Sequence, residues 1–334
     1  MHCGYGSQLA SALTTPAPHI LIVESCLRDC AVKTIPFNRE VDFRRGVLEE
    51  VAPGLRRLVA PNEGPFTFKG TNTYVLGQGE VAVVDPGPDD EGHRQTLLNE
   101  LARSGERITC IMLTHAHPDH SQGIPALKAE TGAETLAFGR DLPAGAHAPR
   151  TPSGKELIDV GFRPDRRLRH GERIEGGTWR VEAVYTPGHA PDHLCFALPG
   201  GIMLSGDHVM GWNTSVVAPP EGHMGQYLQS LETMLQRDEQ VYFPGHGGRI
   251  EEAQRLVKAF IVHRRWREAE ILDCLRDGVH TIELIVPRIY EGLASALARA
   301  AALSVYAHLE HLHEKGAVRT RGLLSPEAEF YLAE

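Results

Sequence analysis

Residues 114–120 read Thr-His-Ala-His-Pro-Asp-His, so three histidines and an aspartate fall within seven positions, directly after the apolar run 108–113. A short apolar run of that length reads as a buried strand. Ligand-type side chains crowded at its end restrict the chain to folds in which a rigid scaffold presents strand-end loops. In extended backbone alternate side chains share a face, so His115 and His117 point the same way and can chelate one ion. Pro118 then turns the chain. Asp119 and His120, where a new helix begins, offer an oxygen and a nitrogen to a second position.

The same arrangement recurs. Tyr185-Thr186-Pro187-Gly188-His189 and Tyr242-Phe243-Pro244-Gly245-His246 each end a β-type run with a turn that stops on a histidine, and Leu204-Ser205-Gly206-Asp207 ends one on an aspartate. Any one of these is ordinary turn chemistry, and a chain with 18 histidines has many that only pack. Together with the cluster they supply nitrogen and oxygen ligands for two divalent ions.

The 334 residues suffice for two units with a sizeable core. Apolar residues make up 42% and charged ones 23%, as in globular rather than disordered chains. The formal charge of −9 repels polyanions at long range, which leaves nucleic acid dependent on a local basic patch or a metal. Six dispersed cysteines do not look like a disulfide scaffold, and Cys3, Cys26 and Cys30 form no complete zinc pattern. Apolar runs are too short to span a membrane, so a cytoplasmic protein with no membrane partner is expected.

Residues 1–46 lack periodicity and read as a poorly structured extension. From 47 to 250, short β-type runs (54–60, 73–77, 80–85, 108–113, 179–184, 193–198, 202–204, 241–243) alternate with helix-type segments near 93–103 and 226–235. From 251 to 334 the signal is helical (255–276, 281–290, 297–314), with a short strand at 317–320, and reads as a second, smaller domain.

His115, His117, Asp119 and His120, followed in order by His189, Asp207 and His246, resemble the metallo-β-lactamase superfamily. That resemblance implies an α/β fold, a four-layer αββα sandwich with metals at one edge. It implies that His115, His117 and His189 hold a first zinc, that Asp119, His120 and His246 hold a second, and that Asp207 bridges. The stretches 64–74, 186–193 and 243–247, with His263-Arg264-Arg265, are similar to the lactamase-beta-like protein 2 branch. Members of that branch carry a C-terminal winged-helix-like domain, which suits the helices after 251, and its best-known animal member is an endoribonuclease acting on single-stranded RNA.

Two departures narrow the reading. Asp207 stands where common zinc β-lactamases place a cysteine, which argues against β-lactam hydrolysis. The spacing from Asp119 to His189 is too short for the inserted domain of the superfamily's large nucleases. A third, Ser121-Gln122-Gly123 in place of a frequent Gly-Gly pair, touches only the turn after the cluster.

The expected activity is a binuclear zinc hydrolase in which a metal-bridging hydroxide attacks and Asp119 orients it, with manganese or iron as other possible ions. Substrates in view are a small-molecule ester, thioester or lactone, or single-stranded RNA. The rival outside enzymes is a nucleic-acid-binding module with a vestigial metal site. Against it, Arg264, Arg265, Arg267, Arg276, Arg288 and Arg299 are balanced by nearby acids and form no basic stripe. The helical unit is expected to cover the active-site mouth or form a homodimer contact. His193 and His208 read equally as ligand supports or packing, and Trp212, Asn213, Thr214 and His223 as a pocket rim or a surface loop. His308, His311 and His313 read as a solvated helix face.

Overall fold

The computed structural model describes residues 35–141, 158–292 and 297–333. Two sheets face each other. The first has seven strands in sequential order: β1 (Glu49–Ala52), β2 (Leu55–Val59), β3 (Asn72–Leu76), β4 (Glu80–Val84), β5 (Arg107–Met112), β6 (Glu134–Ala137) and β7 (Arg166–Arg167). Neighbours from β1 to β4 are antiparallel and those from β4 to β7 parallel. The β4–β5 step is bridged by α1 (Glu91–Arg103) and the β5–β6 step by α2 (Pro118–Ser121) with α3 (Ile124–Thr131).

The second sheet contains β8 (Arg173–Gly176), β9 (Trp179–Tyr185), β10 (Leu194–Leu198), β11 (Ile202–Gly206) and β12 (Val241–Pro244), antiparallel except for the parallel β11–β12 pair. α4 (Met224–Leu235) connects those last two strands.

Strand alternation builds four layers. On β4, Ala82 and Val84 face the second sheet, whereas Val81 and Val83 face α1 and α3. On β10, Leu194 and Phe196 enter the inter-sheet core, and Cys195 and Ala197 meet α4 and α5 (Ala253–Arg276). Both faces of these strands are buried, so the runs read as continuous apolar segments. Each buried aliphatic side chain contributes roughly 1.5–3 kcal/mol.

α5 belongs to two cores. Its first half, with Leu256, Val257 and Phe260, covers the second sheet, while Ile271, Cys274 and Leu275 pack with α6 (Ile282–Ile289), α7 (Ala298–Glu314) and the hairpin β13 (Val318–Thr320)–β14 (Phe330–Leu332). Among the described residues no helix is long and apolar enough to cross a membrane.

Two expectations change. Residues 35–46 have no regular structure but are not loosely attached: Ile35 is buried in the core beneath α5, and Phe37 meets Phe260 edge-on at 6.3 Å. The remainder of the expected extension, with Cys3, Cys26 and Cys30, lies outside the described residues. His308 is fully buried rather than solvated, facing Glu268 across the α5–α7 contact.

Candidate metal centre

β4, β5, β9, β11 and β12 end on one rim. The two sheets are laced together there: Leu194 N–H donates to Thr114 O (2.8 Å), and the Asn72 side-chain amide donates to Pro244 O and Gly247 O (2.9 Å each). All seven side chains singled out in the sequence converge on this rim. His115 Nε2, His117 Nδ1 and His189 Nε2 stand 2.9–3.3 Å apart. Beside them, His120 Nε2 and His246 Nε2 are 3.3 Å apart, and Asp119 Oδ2 lies 3.4 and 3.2 Å from them. Asp207 faces both groups, at 3.6 Å from His120 Nε2, 3.4 Å from His246 Nε2 and 3.7 Å from His189 Nε2.

Turn chemistry makes this crowding possible. A Cβ on Gly188 would lie 2.3 Å from the Tyr227 backbone, and one on Gly245 would lie 2.4 Å from Asp207 Oδ1. The Pro-Gly-His turns therefore need their glycine for close approach.

Four of the five rings are held from behind. His189 Nδ1–H donates to Val216 O (2.6 Å), His246 Nδ1–H to Gly70 O (3.1 Å), and His120 Nδ1–H to Asp85 Oδ2 (2.9 Å). His115 Nδ1–H donates to Thr114 Oγ1 (2.9 Å), which donates on to Asp85 Oδ2 (2.7 Å). These bonds orient the rings so that four Nε2 atoms face inward, bare at His115 and His189 and open to a cation at His120 and His246 once a proton is displaced. Asp85 was not singled out in the sequence. It is the charged residue ending the apolar run of β4, and its φ of 52° is a left-handed conformation that a short polar side chain tolerates.

The ionisation pattern divides the seven residues. Burial pulls His115 well below the usual imidazole range, His117 down to about 3, and His189 in the same direction, so these three stay neutral. Burial also disfavours charge on His120 and His246, but Asp119, Asp207 and Asp85 outweigh it at His120, and Asp207 with Asp119 lifts His246 to about 9. Burial works against charge on Asp119 and Asp207 as well, yet the two cationic rings hold both carboxylates ionised.

Lone pairs of neutral imidazoles repel at such distances unless a cation lies between them. Ligands of a tetrahedral zinc ion with 2.0–2.1 Å bonds stand roughly 3.3 Å apart, which matches the spacing here. Asp207 Oδ1 is buried without a hydrogen-bond donor, as expected of an oxygen meant for a metal. The donor set therefore fits divalent cations.

Of the residues left between two readings, His193 is a support: its Nδ1–H donates to Thr186 Oγ1 (2.8 Å) and its Nε2 accepts from Asp207 N–H (3.2 Å). His208 packs against Tyr227, with neither ring nitrogen hydrogen-bonded. Trp212 stacks on Phe68 at 4.9 Å, and His223 caps α4 by accepting from Gln226 N–H. Ser121 is buried, its hydroxyl 3.1 Å from His117 O, so the altered turn is braced rather than open.

Residues 66–246 match the metallo-beta-lactamase superfamily, and residues 281–323 match the beta-lactamase associated winged helix domain. With its αββα layers and histidine-rich rim, the chain belongs to the metallo-beta-lactamase superfamily and is built as a metal-dependent hydrolase. Among particular relatives, it is 32% identical to the Beta-lactamase-like protein 2 homolog of Drosophila melanogaster, over 83% of this chain and 92% of that one. It is 30% identical to an atrochrysone carboxyl ACP thioesterase from Paecilomyces divaricatus, over 68% of this chain and 66% of the relative. A crystal structure of a metallo-beta-lactamase family protein from Thermus thermophilus superposes with a TM-score of 0.69 at 27% identity, covering 85% of this chain and all of that one.

Proposed function

We propose that the protein is a two-cation hydrolase of small acyl thioesters. His115, His117 and His189 would hold one ion and Asp119, His120 and His246 the other, with Asp207 within reach of both groups. The convergence of bare imidazole nitrogens with two ionised carboxylates carries this reading. Divalent cations held there, zinc in this proposal, supply Lewis acidity toward a carbonyl oxygen and make water acidic enough to yield a nucleophile near neutral pH.

The chain's own groups complete the task. Asp119 accepts a hydrogen bond from Thr71 Oγ1 at 3.4 Å, and Asn62 Nδ2–H donates to that hydroxyl at 2.9 Å. Held ionised, Asp119 accepts a hydrogen bond from the attacking water and orients it; it is too weak a base to store the proton. The water oxygen bonds to the carbonyl carbon while its proton passes to solvent; the C–S bond then breaks, and its electron pair leaves with a thiolate whose conjugate-acid pKa of about 8.5 requires no strong general acid. The thioesterase named among the relatives supports the same substrate class.

The test is metal content per chain, measured alongside a panel of acyl thioesters, aryl esters, lactones and labelled single-stranded RNA, with and without chelator. Two ions per chain and thioester turnover that vanishes on chelation and returns with zinc are expected. Turnover by metal-free protein, or RNA cleavage with inert thioesters, would overturn the proposal.

A further inference from the structure

α5 carries three charged side chains that are almost fully buried: Arg264 at 3% exposure, Arg267 at 6% and Glu268 at 8%. Burying a charge costs several kcal/mol unless it is well partnered. They share the helical stripe of Phe260 and Ile271, so sequence periodicity marks them as inward-facing although composition counts them as surface.

The two arginines have different partners. Arg267 pairs with Glu270 (2.7 Å), donates to Ile289 O (2.9 Å) and stacks on Tyr290, all contacts that close the C-terminal core. Arg264 has no carboxylate within ion-pair distance among the described residues. It donates to Ser215 O, lies 3.5 Å from Ser304 Oγ and sits over the Tyr227 ring.

Ser215 immediately precedes Val216, whose carbonyl accepts the Nδ1–H of His189. This strap, 207–217, is pinned at two further points: Ser215 Oγ–H donates to His208 O (2.7 Å), and Tyr227 O–H donates to the same oxygen (2.9 Å). Arg264 thus touches the strap directly and also the tyrosine that anchors it. An apolar side chain of equal volume would fill the space without a desolvation cost, so the guanidinium is placed for what it holds.

We infer that Arg264 is a positioning residue for His189: by fixing the Ser215–Val216 peptide from α5, it aims the Val216 carbonyl that keeps His189 Nε2 bare and directed at the three-imidazole pocket. The inference rests on the proposal that His189 binds a cation. It assigns a helix shared with the C-terminal core a part in the affinity of that pocket. A second tie reaches the same turn, since His223 N–H donates to Gly188 O (2.8 Å) while its ring pairs with Glu314 of α7 (2.9 Å).

The experiment compares Arg264→Met, Arg264→Lys and Arg267→Met in the full chain. Zinc affinity is read by chelator competition, the ligand field by the absorption spectrum of the cobalt-loaded protein, and folding by thermal melting. Outer partners of metal-bound histidines typically carry 10–100-fold in metal affinity. Acting one peptide removed, Arg264→Met is expected to weaken one of the two cations about tenfold and to alter the cobalt spectrum. Arg264→Lys, a point charge on a shorter stem, should give an intermediate loss near wild-type melting temperature. Arg267→Met should lower the melting temperature while leaving affinity and spectrum unchanged.

If Arg264→Met and Arg267→Met both melt early yet keep wild-type affinity and spectrum, the assignment is wrong. If Arg264→Met fails to fold, a folded Arg264→Lys with wild-type affinity and spectrum overturns it equally. A wild-type chain that binds two cations but hydrolyses nothing defeats the proposed activity alone, and the affinities then still decide the role of Arg264.

Discussion

The 115–120 cluster and the His189 turn place the same kind of ring on the same rim, yet they are braced from opposite sides of the sandwich. His115 and His120 lean on one carboxylate, Asp85, at the end of β4 within the first sheet. His189 leans on a backbone carbonyl in a strap that is itself held by α4 and α5. A charged brace inside one sheet is set once that sheet forms. The other brace depends on how a separate core docks, so it can vary without disturbing the first.

The largest effect should come from removing a ligand on the first side. His120→Ala is expected to release a cation and cost about 10³-fold or more in turnover, checked by metal analysis and steady-state kinetics. Near-normal rates would break the comparison altogether.

Asp85→Asn keeps the shape and removes the charge behind two rings at once. Roughly 10–100-fold weaker metal binding is expected, felt at both cations in a chelator competition, whereas a change at the His189 brace should weaken only one.

Proton competition offers a third separation. His120 and His246 are held protonated at neutral pH in the metal-free protein, His246 up to about 9, whereas His117 titrates only at about 3. From pH 8 to pH 6 the cation at His120 and His246 should lose about tenfold in affinity per unit for each proton it displaces. The three-imidazole cation should hold steady over that range, and parallel slopes would refute the assignment of charges.

The smallest effect is predicted for Glu314→Gln. The half-exposed His223–Glu314 pair should contribute less than about 1 kcal/mol, with a barely measurable change in the affinity of the His189 pocket.

What the sequence revealed follows the same division. The candidate ligands stand on strand ends and in Pro-Gly-His turns, and both are local patterns, so His115, His117, Asp119, His120, His189, Asp207 and His246, which the structure brings together, could be singled out directly. The β-type runs and the helix-type segments between them were legible as elements, and the αββα layering came with the resemblance to the superfamily. The braces were not: Val216 and Gly70 act through backbone carbonyls that any residue carries, and Asp85 and Arg264 looked like ordinary charges. The strands β6, β7 and β8 are too short, at two to four residues, to show a period. His308 was misjudged because a histidine on a helix follows whatever packs against it, and here that is α5.

α5 runs 24 residues without interruption through two cores. Adding one residue near its middle would turn everything beyond by about 100° and lift that portion about 1.5 Å along the axis, so neither half could keep its neighbours. Cutting the chain ahead of it would bare the flank of the second sheet where Tyr227, Leu231 and Phe260 meet. Exchange of C-terminal modules between related proteins is therefore confined to the turn at 277–281, and whatever is grafted there must accept a helix whose outlook the older half has already chosen.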